Sequence, residues 1–248
     1  MRPLHHPTFE LSKIEVPSSL EQANENLDRL AQTSRRSFFG KSMGLGAAGA
    51  TALVAASKSA GAASTTLPSL YPGSTAKYFH ELQFDEASHV NINAAAIRSL
   101  GGTVRPLPTF TGITNLTQTQ LLQLSVTIAN TGVRAIFGAA PYISNPSVLA
   151  VSGSILAVEG YHSGFLNSLA GLSLVPNGLT YDTPLTIAQV VAVVSPYIVS
   201  LNDNGLFPAT FSTTTKSTAN DIAILNFAII IDMLEAVLYF NNVPRLFG

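Results

Sequence analysis

From about residue 74 onward, apolar positions recur at three- and four-residue spacing, the period of helices that bury one face. Ser74 can cap a helix over about 74–100, with Phe79, Leu82, Ala87, Val90 and Ile97 on or near one stripe and Gly101-Gly102 ending it. The connection over 103–115 carries Pro106 and Pro108 and is long enough to cross the end of a bundle. A second helix is predicted over about 117–137. A third follows Pro146, runs to about Leu169 and closes at Gly171. Residues 172–185 read as loop, and 186–199 as a short helix interrupted at Pro196. The last helix covers about 218–240, with Thr218 or Asn220 as its cap. No run alternates long enough to predict a strand. The pattern specifies an all-α chain.

That last helix is almost continuously apolar over 222–240, enough by length to cross a bilayer. Asp232 and Glu235 stand in its middle, however. A carboxylate at bilayer depth costs about 2.5–3.5 kcal/mol on insertion scales. A helix at the centre of a bundle explains both the all-round hydrophobicity and the inward acids, so no stable membrane span is expected.

The N-terminal quarter has a different character. Ser34-Arg35-Arg36-Ser37-Phe38-Phe39-Gly40-Lys41 is a twin-arginine sequence, followed by small and apolar residues over 42–56 and by Ala60-Gly61-Ala62. Paired arginines, a short apolar run and a small-residue cleavage pattern in that order read as an export signal. The expectation is an n-region and signal over 1–63, cut near Ala62-Ala63, then one domain over 64–248. The twin-arginine translocase is the partner during export, and the periplasm or the cell exterior the destination. Residues 20–30 could form a small exposed helix without evident chemistry. Gly44, Gly46 and Gly49 match G-x-G-x-x-G, but with no strand before them and no βαβ unit around them they carry no nucleotide role.

Charge is scarce: Asp, Glu, Lys and Arg make up 11% of the chain, so the positions of the acids are informative. Beyond residue 63 the histidines are His80, His89 and His162, and the glutamates Glu81, Glu86, Glu159 and Glu235. Two of each fall into one motif, Glu-x-x-His, at Glu86-Ala87-Ser88-His89 and Glu159-Gly160-Tyr161-His162. A spacing of i, i+3 puts carboxylate and imidazole on one helix face, and two such helices facing each other gather four metal ligands. His80 lies outside both motifs and reads as a surface histidine. Asp85, about 100° round the helix from Glu86, reads as a hydrogen-bonding group or a solvated acid. With no cysteine there is no disulfide framework and no thiolate site. No basic patch supports nucleic-acid binding, and no G-x-S-x-G or Ser-His-Asp set supports hydrolysis. A homo-oligomer is compatible with the sequence.

Several segments together resemble the ferritin-like proteins, in particular the desiccation-related and twin-arginine-exported members. They are Phe84-Asp85-Glu86-Ala87-Ser88-His89-Val90, Arg105-Pro106-Leu107-Pro108-Thr109-Phe110, Asn130-Thr131-Gly132-Val133-Arg134-Ala135 leading into Gly138-Ala139-Ala140-Pro141, Ser154 through His162, and Asp182-Thr183-Pro184-Leu185-Thr186. Ile224-Leu225-Asn226-Phe227-Ala228, followed by Leu234-Glu235-Ala236, is similar to the family's first bundle helix. The resemblance implies a four-helix bundle with that usual first helix moved to the C-terminus. It also implies a metal site of Glu86, His89, Glu159 and His162, joined by Asp232 or Glu235. Asp232 is the better match by spacing, because Tyr239 lies seven residues on. Tyr239 and Tyr161 would be hydrogen-bonding or redox groups beside the ligands.

The family's remaining carboxylate is expected where Ala129 stands, so the site reads as incomplete. Iron is implied, di-iron or mononuclear, with manganese and zinc also fitting these donors. Ferroxidase- or peroxidase-like redox activity is open on this reading but not favoured. The competing reading is a non-catalytic stress- or desiccation-protective or structural envelope protein, in which the Glu-His pairs form a buried polar cluster without functional metal.

Overall fold

A computed structural model describes residues 67–248. The twin-arginine sequence, the Ala60-Gly61-Ala62 cleavage pattern, the glycine motif at 44–49 and the helix expected over 20–30 lie outside the described residues. Four long helices dominate: α1 (Ser74–Ser99), α2 (Gln118–Ala139), α3 (Pro146–Leu169) and, after the short α4 (Ile187–Val194), α5 (Thr218–Phe247).

Local chemistry sets the helix starts. Thr117 and Gln120 form a reciprocal capping box on α2, Thr186 and Gln189 another on α4, and Asn145 caps α3 ahead of Pro146. Two expected caps are displaced by one residue or more. Ser74 is the first residue inside α1 and leaves the preceding position to Gly73, which sits in the left-handed region at φ 81°. On α5 the cap is Ser217, whose hydroxyl accepts from the Asn220 amide. Asn220 itself turns back to hold the 212–215 loop, with Nδ2 donating to the carbonyls of Ser212 and Thr215.

α5 also runs on to Phe247 rather than stopping near Phe240. The polar pair Asn241-Asn242 mimics a helix end in the sequence. Asn242 is in fact fully buried: its Nδ2 donates to Ile113 O at 2.8 Å, and its Oδ1 accepts from Leu116 N at 3.0 Å. That bridge to the long connection carries α5 one further turn and a half, with Pro244 tolerated near its end.

The short helix breaks up at Pro196 as expected. α4 ends at Val194, a 3₁₀ turn covers Ser195–Tyr197, and the chain extends into β2 (Ile198–Ser200). β2 pairs antiparallel with β1 (Thr109–Phe110), Thr109 opposite Ser200 and Phe110 opposite Ile198. These strands of two and three residues are too short to show a period in sequence, and they leave the all-α class intact.

The most extensive helix contacts join α1 to α5 and α2 to α3, with α2 also against α5. Close approaches explain two glycines. A Cβ on Gly138 would lie 2.1 Å from Leu185 O, where the chain after the α3 loop lies along α2. A Cβ on Gly102 would lie 2.8 Å from Ile222 of α5. By length and composition α5 could cross a membrane, yet 72% of its apolar window is buried within the bundle.

Apolar burial falls into two clusters. One, built on Phe79, Leu82, Leu121, Leu166, Leu234 and Leu238, fills one end of the bundle. The other, built on Val90, Ile97, Val148, Ile224, Ile229 and Met233, fills the other end. Between them α1, α3 and α5 turn their buried polar residues toward one another.

Candidate metal centre

Three helices contribute to this middle layer with the same spacing. α1 supplies Glu86, His89 and Asn93, α3 supplies Glu159 and His162, and α5 supplies Asp232, Glu235 and Tyr239; all are buried. Offsets of three and seven residues keep each set on one helix face. Glu86 and Glu235 are each only 1% exposed, and Glu159 is 2% exposed. Ionised carboxylates so deep are very costly unless paired.

Imidazoles provide the pairing. His89 Nδ1 lies 2.8 Å from Glu159 Oε1 and 3.3 Å from Glu86 Oε2. His162 Nδ1 lies 3.0 Å from Glu86 Oε1 and 3.8 Å from Glu159 Oε2. One ligand atom from each of Glu86, His89 and Glu159 therefore falls within a sphere of metal-site size, all within 4.8 Å of one another. The other ring nitrogen of His162, Nε2, lies 3.1 Å from Asp85 Oδ2. Asp85, left open between a bonding group and a solvated acid, thus reaches across to α3. Asp85 on Nε2 and Glu86 on Nδ1 thus hold the His162 ring at both nitrogens; a metal taken up at Nδ1 would displace the proton there, with Asp85 keeping the ring in orientation.

Electrostatics follow from the same contacts. Burial alone would lower the pKa of His89, but its hydrogen bonds with Glu159 and Glu86 outweigh burial and hold it well above 6.5. His162 is likewise raised, its bonds with Asp85 and Glu86 and the nearby Glu159 carboxylate overcoming burial. Burial would push Glu159 up, yet the imidazoles of His162, close by, and of His89, hydrogen-bonded to it, bring it down to about 2. The α5 acids go the other way. Burial raises Asp232 to about 7, despite the opposing pull of His89 and of Asn93, whose Nδ2 donates to Oδ2 at 2.6 Å. Burial, and then the charges of Glu86, Glu159 and Asp232, raise Glu235 well above 4.5. Tyr239 is raised above 10 by burial and by the nearby charges of Glu235 and Glu86.

The pairing is incomplete. Among the described residues, the buried side-chain atoms without a hydrogen-bond partner are Arg105 Nε, Ser125 Oγ, Glu159 Oε2, both oxygens of Glu235 and Tyr239 Oη. Glu159 Oε2, both Glu235 oxygens and Tyr239 Oη lie on the α3 and α5 faces that line this layer. Buried polar groups are ordinarily satisfied. Unpartnered carboxylate oxygens beside two imidazoles are the donor set that a divalent cation satisfies, and they suit iron, manganese or zinc.

A family model described as a ferritin-like domain matches residues 47–172, just over half of the chain. The chain belongs to the ferritin-like domain family. No curated protein and no solved structure matches it. The matched segment of this ferritin-like protein includes α1, α2 and α3, hence both Glu-x-x-His pairs. α5 stands outside it.

All six residues expected at the site, Glu86, His89, Glu159, His162, Asp232 and Glu235, face this one layer. Tyr239 is there too, fully buried. Tyr161 is not: it follows Glu159 by two residues, about 200° round the helix, and is 75% exposed. It cannot serve as a group beside the ligands. His80 is exposed as expected.

Ala129, where the resemblance implies a carboxylate, packs into one of the apolar clusters; one turn on, a Cβ at Gly132 would lie 4.0 Å from Glu235 Oε2. Asn93 was missed in the sequence. Its signal was its place one turn after His89, on the same face.

Proposed function

We propose that this ferritin-like protein is exported and binds a metal ion between α1, α3 and α5. Glu86, His89 and Glu159 would form the core of the site, with His162, Asp232 and Glu235 completing it. The observation that carries this reading is the set of unpartnered oxygens on Glu159 and Glu235, buried beside two imidazoles already held in orientation. Bound iron or manganese would supply redox chemistry there, of the ferroxidase or peroxidase kind, whereas zinc would supply none. The chain's own residues do the rest. Asp85 fixes the ring of His162, Asn93 holds Asp232, and the apolar clusters on either side keep bulk water away.

The reading extends to α5 as counterpart of the family's usual first helix. It is supported by the end of the family match at residue 172 and by the close pairing of α5 with α1. It extends also to location: Arg35-Arg36 and the small-residue run after them support passage through the twin-arginine translocase to the periplasm or beyond.

Elemental analysis of protein exported by its own host tests the site, with Glu86→Ala and Glu159→Ala alongside. Iron present in the wild type and lost from both folded variants is expected, two equivalents marking a di-iron centre and one a mononuclear site. A well-folded wild type without bound metal would overturn the reading and leave the cluster a hydrogen-bonded core of a protective or structural protein. Replacing Arg35 and Arg36 with lysines should trap the chain in the cytoplasm, and undiminished export would refute that part.

A further inference from the structure

Away from the metal layer, a charged latch joins the two long connections of the bundle. Arg105, on the stretch that leaves α1, is 2% exposed, and its guanidinium is always charged. Nη1 donates to Asp203 Oδ2 and Nη2 to Pro208 O at 2.8 Å, while the guanidinium carbon lies 5.0 Å from the centre of the Phe207 ring. Among the described residues Asp203 is the acid paired with this buried charge, and Nε has no partner. The backbone of Arg105 also seats α5. Its amide donates to Asn226 Oδ1 at 2.8 Å, and Asn226 Nδ2 donates to Thr103 O at 3.0 Å.

A tight turn aims Asp203 at the guanidinium. Leu206 N donates to Asp203 O at 2.9 Å, and Gly205 N to Asp203 Oδ1 at 3.0 Å. Asn204 and Gly205 take φ 50° and 73°, both left-handed, which is the type I′ turn that Asn-Gly favours. Both residues are exposed. Asn-Gly is also the dipeptide at which a chain most readily attacks itself, because glycine has no side chain to shield its nitrogen. The Gly205 nitrogen, on losing its proton, bonds to Cγ of Asn204, and ammonia leaves. The five-membered succinimide then takes up one water, which opens it to aspartate or, at the other carbonyl, to isoaspartate. No metal, oxidant or second protein enters. The hydrogen bond to Asp203 holds the Gly205 nitrogen back while the turn is closed, so the reaction proceeds from the open turn.

We propose that Asn204-Gly205 is a site of self-modification whose isoaspartate product unlatches Arg105. Isoaspartate routes the main chain through the side-chain carbon and lengthens the turn by one CH₂. The type I′ geometry is lost, and with it the aim of Asp203. A buried ion pair that loses one partner leaves an uncompensated charge, which destabilises the fold. Asn177-Gly178 is an internal contrast. It too is exposed and left-handed, at φ 61° and 66°, and its glycine amide donates to Val175 O at 3.1 Å. No charged side chain occurs over 171–181, so conversion there has no latch to release.

The full chain is aged in warm, mildly alkaline buffer, and isoaspartate is located by enzymatic methylation and peptide mass spectrometry. Isoaspartate at position 204 is expected. The converted fraction should melt about 2–12 °C lower, the size set by a buried polar group left without its partner. Asn204→Gly keeps the turn as Gly-Gly but offers no amide to attack, and should hold its Tm through the same ageing. Fresh Asn204→Asp carries the new charge on an ordinary backbone and should melt within about 1–2 °C of fresh wild type. Asn177→Gly should age as the wild type does. No isoaspartate at position 204, or an aged wild type whose Tm falls no further than that of Asn204→Gly, would overturn the proposal. A Tm for fresh Asn204→Asp as low as that of the converted fraction would assign the loss to charge and overturn the backbone route.

Discussion

Replacing Glu235 with methionine should move stability in opposite directions with and without metal. Glu235 is 1% exposed and neither of its oxygens has a partner, so the metal-free fold carries an unsatisfied buried polar group. Such a group costs about 1–3 kcal/mol. Methionine is of similar length, unbranched and apolar, and removes that cost with little change in shape.

Protonation adds a contribution of the same sign. The carboxyl has its pKa raised by burial and then by the charges of Glu86 and Glu159, so at pH 7 folding works against the ionised form that the unfolded chain prefers. For a domain of this size, 1 kcal/mol corresponds to roughly 2–4 °C in Tm. Glu235→Met should therefore raise the Tm of chelator-treated protein by about 2–12 °C in calorimetry at pH 7. In metal-loaded protein the same change removes a ligand, and each tenfold loss of affinity takes about 1.4 kcal/mol from the protection that metal gives. The wild type should gain more Tm from added iron or manganese than the variant does. A metal-free variant less stable than wild type, or an undiminished metal-induced rise, would refute the reasoning.

Other expectations concern pH, orientation and packing. Metal-free protein should lose stability as pH rises from about 4 to 7, because the Asp232 pKa of about 7 exceeds its ordinary 3.8 and its stabilising protonated form is lost across that window. The size is about 4 kcal/mol, and Asp232→Asn should flatten that part of the Tm–pH curve. His89 and His162, also raised, lose their contribution on the alkaline side of 6.5. Glu159, depressed to about 2, contributes above its ordinary 4.5 and loses that only as pH falls toward 2. Asp85→Asn should weaken metal binding about 10–100-fold by titration calorimetry while leaving the metal-free Tm within about 1–2 °C, since it frees the His162 ring and little else. Gly138→Ala should destabilise by about 1–3 kcal/mol in urea unfolding, because its methyl would sit on the Leu185 carbonyl; the same change at Gly132 should not.

The helical period and the two Glu-x-x-His pairs were legible in the sequence because both depend on local spacing, and α1 and α3 display them as read. Helix ends were less so. Asn242 looks like a surface residue of a fraying terminus until the carbonyl of Ile113 is placed against it, a contact between residues 129 apart. The site divides in the same way. Pairs on one helix are visible from spacing, whereas Asn93 reaching Asp232, or Asp85 reaching His162, depends on how two helices rotate against each other. Tyr161 shows the reverse: simple angular counting from Glu159 already sends it outward.

α5 follows all of its partner helices in sequence. Asn93 and Asp232 are 139 residues apart, and closing a loop of that length costs about 4 kcal/mol in chain entropy. The layer between the two apolar clusters cannot exist while the ribosome is still making α5. Until then Glu86, His89, Glu159 and His162 are open to solvent and to any passing cation. The decisive step of folding therefore waits for α5 and, with so much long-range closure, is slower than for a bundle wound in sequence order. A nascent chain that stalled or was clipped before residue 232 would expose the face of α1 that α5 covers, where an intact one conceals it in a single late docking event.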